Sequence, residues 1–207
     1  MSIPMAVVDY IPVGIFLASA ILLQRGLYNK MSKGAFAVFS CGTIMVFIAG
    51  FYKATWKLLY AAGICDFEKL NFAFFPMQAS GFLLAAAGLV AMYFFRQEEK
   101  SSAAMCIALV PAVYSGTFIF VVMMCAGIIG MCMILAMIAK QMNRKTEMIL
   151  FLAAIIVMLG MGYLSSKDFA DPAMNWIGEI TNIIGQGLLF AGILGLVKAG
   201  LKDFKLQ

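Results

Sequence analysis

Long apolar runs fill this chain, and the charged residues fall in the gaps between them. A run of about twenty apolar residues is what an α-helix needs to cross the roughly 30 Å hydrocarbon core of a bilayer. The pattern predicts membrane spans at 7–23, 35–52, 72–95, 148–164 and 175–201. Between them, Ala103 to Ala139 is apolar throughout and would be roughly 55 Å long as one helix, too long for a single straight crossing. Tyr114-Ser115-Gly116-Thr117, just after Pro111, offers a break, which divides the stretch into a short fourth span at 103–114 and a fifth at 118–139. The second span continues into Lys53 to Ala62, where Tyr52, Trp56 and Tyr60 recur at every fourth position beside lysines, so this extension has the pattern of an aromatic anchor at a membrane interface.

The expected fold is an all-α integral membrane protein, a seven-transmembrane-helix bundle forming a single transmembrane domain over residues 1–207. The first run has no basic leader and Asp9 precedes any Lys or Arg, so the first helix is expected to be retained rather than cleaved. The positive-inside rule supports the split at Tyr114 and orients the bundle with its N-terminus outside and its C-terminus inside. Arg25, Lys30, Lys33, Arg96, Lys100, Lys140, Arg144, Lys145, Lys198, Lys202 and Lys205 then lie inside, and only Lys53, Lys57, Lys69 and Lys167 outside. Placing Ala103 to Ala139 in one bent span would reverse that bias.

Three short matches keep their order along the chain. Asn29-Lys30-Met31-Ser32 corresponds to Asn143-Arg144-Lys145-Thr146, Ile44 to Phe51 to Ile156 to Tyr163, and Gly81-Phe82-Leu83-Leu84-Ala85 to Gly187-Leu188-Leu189-Phe190-Ala191. They would make spans one to three a parallel relative of spans five to seven, a 3+1+3 repeat in which ligands bind between the halves.

Composition strengthens the membrane reading. The chain is 64% hydrophobic, against roughly 45–50% in soluble domains, and its mean hydropathy is +0.98. The formal net charge of +5 is scattered through short gaps, a topological signal that implies lipid and not nucleic acid as the partner. The expected location is the cytoplasmic membrane of a prokaryote. Four of the five cysteines (Cys41, Cys106, Cys125, Cys132) lie within predicted spans and only Cys65 in a predicted outer loop, which argues against a disulfide framework. The chain has no histidine, which removes His-held haem, His-based zinc or copper sites, and Ser-His-Asp or Cys-His catalysis. No clustered catalytic constellation is visible either, so neither an enzyme nor a cofactor is expected.

The candidate chemistry lies in the seventh span. Asn175, Glu179, Asn182 and Gln186 are spaced four, three and four residues apart and form one polar stripe on a helix otherwise suited to hydrocarbon. Glu179, Asn182 and Gln186 would lie roughly 6, 10 and 16 Å below the outer end of the span, with Gln78 and Ser80 of the third span at similar depth. An ionisable residue inside a membrane is costly unless paired or hydrated, which makes Glu179 the first candidate as a counter-charge or proton carrier. The plainer alternative is that Glu179 reaches interfacial water while the amides bond neighbouring helices. Gly178, Gly185, Gly192 and Gly195 mark the same helix for close packing. The methionines of the fifth span lie on no single face and read as apolar filler rather than a copper path. The expectation is a small multi-pass carrier or ligand-binding protein for a small polar or cationic solute. Its outward-facing cavity would lie between spans three and seven, with Glu179, Asn182, Gln186, Gln78 and Ser80 as ligand-binding residues. The alternative is a seven-helix sensor or receptor module, or a membrane-anchoring subunit that needs a partner subunit or a homo-oligomer.

Overall fold

The computed structural model describes residues 2–95, 117–164 and 172–204. Among them it is all-helical: α1 (Ile3–Val8), α2 (Tyr10–Leu27), α3 (Lys33–Ala61), α4 (Glu68–Phe94), α5 (Thr117–Gln141), α6 (Lys145–Leu164) and α7 (Pro172–Lys198). Five helical stretches of the described residues are long and apolar enough to cross a membrane: Ile3–Lys30, Lys33–Ala61, Glu68–Phe94, Phe118–Gln141 and Ala173–Lys198. The predicted fourth span, 103–114, lies outside the described residues.

Local chemistry sets the helix ends. Ser32 caps α3, its side chain accepting the Ala35 N–H at 3.2 Å. Gly63, Asn143 and Gly200 adopt left-handed backbone (φ 68°, 56° and 85°) just beyond α3, α5 and α7, the conformation that lets the next N–H reach back to an orphan carbonyl. Thus Ile64 N–H donates to Leu59 O, Arg144 N–H to Ala139 O and Leu201 N–H to Leu196 O. Pro12 cannot donate to the carbonyl of Val8, and the interruption between α1 and α2 falls at Asp9, within that unpaired turn.

The six long helices form a closed ring: α2 packs on α3, α3 on α4, α4 on α5, α5 on α6, α6 on α7, and α7 back on α2. The tightest seam, between α3 and α4, is lined by glycine. A Cβ placed on Gly42 would lie 2.4 Å from Ala85 N, and one on Gly88 would lie 2.8 Å from Ala35 O. The predicted packing face of α7 is also real, since Gly185, Gly192 and Gly195 abut Met158, Phe151 and Glu147 of α6. Gly81 and Gly187, which a repeat would place in register, differ: Gly81 is pressed against Val46 and Gly42, whereas Gly187 faces open space.

Contacts fix the helix directions. Gly127 lies against Phe82, Gly130 against Ala86, and Gln141 Nε2 donates to Tyr93 Oη at 2.9 Å, so α4 and α5 run parallel. Leu201 packs on Gly26 and Lys30 Nζ donates to Phe204 O, so α2 and α7 end together. We call that end distal; the other, with the start of α2, the end of α3 and the start of α7, is proximal. The distal half is packed solid by apolar side chains, among them Phe39, Leu89, Leu135, Phe151, Ile193 and Leu196, all fully buried.

The second span continues into 53–61 as expected, α3 running unbroken from Lys33 to Ala61. Tyr52 and Tyr60 do lie on its exposed face. The Trp56 and Tyr60 rings stack at 5.8 Å, and Trp56 Nε1 donates to Asp66 Oδ1 at 2.9 Å. Lys53 and Lys57, offset by one position, are rotated about 100° from that stripe and face the ring interior.

Candidate functional site

A buried ion-pair cluster occupies the proximal half of the ring. Lys57 Nζ lies 3.0 Å from Asp9 Oδ2 and 2.5 Å from Glu179 Oε1, to which it donates a hydrogen bond. Asp9, Lys57 and Glu179 are 6%, 5% and 6% exposed, so all three charges are out of solvent and depend on one another. The Asp9 contact is an ion pair without hydrogen-bond geometry, and neither Asp9 Oδ2 nor Glu179 Oε2 accepts a hydrogen bond from the protein. One turn earlier on α3, Lys53 is half-buried and holds its ammonium 4.2 Å from the centre of the Phe74 ring, a cation–π contact.

Asp9, Lys53, Phe74 and Glu179 border a half-open cavity of about 100 Å³ in the middle of the ring. All six long helices reach it: Phe16 from α2, Val46 and Lys53 from α3, Gln78 and Phe82 from α4, Met124 from α5, Met158 from α6, and Glu179, Asn182 and Gln186 from α7. Its wall combines a lining rich in phenylalanine with Asp9, Lys53, Glu179 and three amides. A water needs at least roughly 10–15 Å³ of such space and takes about 30 Å³ in the liquid, so the cavity has room for a few water-sized groups. Gln186 is 6% exposed, and its Oε1 has no hydrogen-bond partner in the protein.

Four of the five residues singled out from sequence, Gln78, Glu179, Asn182 and Gln186, therefore meet around one cavity. Ser80 does not: it is half-buried elsewhere on α4 and is absent from the cavity wall. Two residues further along a helix means a rotation of about 200°, which carries Ser80 away from the face that Gln78 presents. Asn175, the first residue of the stripe, is buried but stands above the cavity wall. The cavity is bounded by the whole ring rather than by α4 and α7 alone.

Sequence reasoning missed Asp9, Lys53 and Lys57. Lys57 in particular does not snorkel to the surface. The available signal was the i,i+4 spacing of the two lysines, which gives them one face; their aromatic neighbours suggested an interface instead. Glu179 accordingly meets an intramolecular cation, not interfacial water. Among the described residues, no group of three His, Cys, Asp or Glu side chains is arranged to hold a metal ion. Comparison with protein-family models, with curated proteins and with solved structures finds no match.

Proposed function

We propose that this chain is a multi-pass membrane carrier or ligand-binding protein that takes a small polar solute into the central cavity. The observation that carries this reading is the amphipathic wall around that space. Amide side chains both donate and accept hydrogen bonds, and a buried acceptor without a partner, such as Gln186 Oε1, is costly until something donates to it. Burial of Glu179 against Lys57 removes the simplest argument for a purely cationic solute, because its countercharge is already supplied.

The proposal includes seven spans with the proximal end outside. The parallel run of α4 and α5 supports this count, since the chain leaves α4 at the distal end and enters α5 at the proximal end. The directions also support a 3+1+3 plan: α2, α3 and α4 run up, down and up, as do α5, α6 and α7, and in the ring each helix of one triplet stands three places from its counterpart in the other. The unlike surroundings of Gly81 and Gly187 argue against one packing register for both halves.

A second reading, a sensor or partner-anchoring subunit, draws on the solid distal half, which a carrier would have to open. Both readings share the cavity. The test is a thermal-shift panel of amino acids, amides, amines and polyols on the purified protein in nanodiscs. At least one solute is expected to raise the wild-type Tm, and Gln186→Leu to abolish that shift. No response from any solute would overturn the reading. Solute counterflow in proteoliposomes then separates carrier from sensor, and a stoichiometric partner retained on purification from native membrane marks the anchor.

A further inference from the structure

The cavity has a mixed polar and apolar lining, with a balanced set of charges at and beside its wall. Asp9 and Glu179 contribute two carboxylates, and Lys57 and Lys53 contribute two ammonium groups. The balance is unevenly satisfied. Lys57 is held by both carboxylates, whereas Lys53 rests on the face of Phe74 and forms no salt bridge among the described residues. Glu179 Oε2 and Gln186 Oε1 are buried acceptors that receive no hydrogen bond from the protein, while Asp9 Oδ2 is taken up by its ion pair with Lys57. The wall therefore presents one cation available to an anion and two acceptors available to a donor. The rest of the wall is Gln78, Asn182 and apolar residues, mostly Phe, Val, Ile and Met.

A ligand with a net charge would upset this neutral set in a low-dielectric interior, where charge imbalance is expensive. A ligand carrying both signs would not. Its carboxylate would draw the Lys53 ammonium off the Phe74 ring, its ammonium would donate to the free oxygens of Glu179 and Gln186, and a short hydrocarbon body would pack on the apolar lining. Building on the cavity reading above, we propose that the cavity selects a small zwitterion with an apolar body, with the charges of an aliphatic α-amino acid, and that Lys53 sets this specificity by receiving the carboxylate.

The test uses the full chain in nanodiscs and three probes with one hydrocarbon body: valine with both charges, isobutylamine without the carboxylate, and isovalerate without the ammonium. Calorimetry or thermal shift is expected to show valine binding roughly tenfold or more tightly than either singly charged probe. Lys53→Gln should cost valine about tenfold and bring it level with isobutylamine, and Lys53→Arg should restore most of the preference. The assignment is overturned if wild type binds isobutylamine as tightly as valine, or if Lys53→Gln leaves valine affinity unchanged while that variant still binds it. If none of the three probes binds but an uncharged solute does, the zwitterion inference falls and the cavity reading stands. If nothing binds, both fall.

Discussion

Lys57 carries the electrostatics of the proximal half. Removing it would leave Asp9 and Glu179 facing each other, buried and without a cation. Lys57→Met is expected to destabilise the protein by about 3–5 kcal/mol, the usual cost of stranding a buried charge. The triple variant Lys57→Met, Asp9→Asn, Glu179→Gln should recover much of that loss, because no uncompensated charge remains. Denaturant unfolding in detergent measures both; equal stability of the single variant and the wild type would show that the cluster does not hold the fold. The two kinds of residue in this site were unequally legible. Gln78, Glu179, Asn182 and Gln186 stand out because polar groups in apolar helices need a reason to be there. Lys53 and Lys57 were hidden by Tyr52, Trp56 and Tyr60, since a lysine beside aromatics at a helix end also describes a solvated interface.

The α3–α4 seam depends on side chains that are missing. Any Cβ at Gly42 would meet the backbone of Ala85, which cannot move away as a flexible side chain could. Gly42→Ala is therefore expected to push the helices apart and cost about 1–3 kcal/mol. Gly187→Ala, where nothing lies within 4 Å, should leave stability unchanged or raise it by up to about 1 kcal/mol through helix propensity. Thermal unfolding of the two variants side by side checks the contrast, and equal effects would refute the seam as drawn. The positions of the helices were readable from hydropathy to within a few residues, as with 72–95 for α4 and 118–139 for α5. Which glycines touch a neighbour was not, because composition does not reveal which face of a helix meets another.

The proposed topology makes a prediction for the whole molecule. Cys65, exposed beyond the proximal end of α3, should react with a membrane-impermeant maleimide in intact cells when it is the sole cysteine. A sole cysteine introduced as Asn143→Cys, in the distal α5–α6 turn, should react only after permeabilisation. Labelling of both from the same side would overturn the opposed ends. By itself the sequence determined that the chain is helical and apolar, where its long helices lie, and that α7 bears a polar stripe, because hydropathy and periodicity are properties of consecutive residues. Only the tertiary structure decided that this stripe faces Lys57 of α3 and Asp9 between α1 and α2, and that the space between them belongs to all six long helices. Those relations join residues more than a hundred positions apart, and they depend on how each helix is rotated in the ring, which is set by packing among helices and not by any one segment.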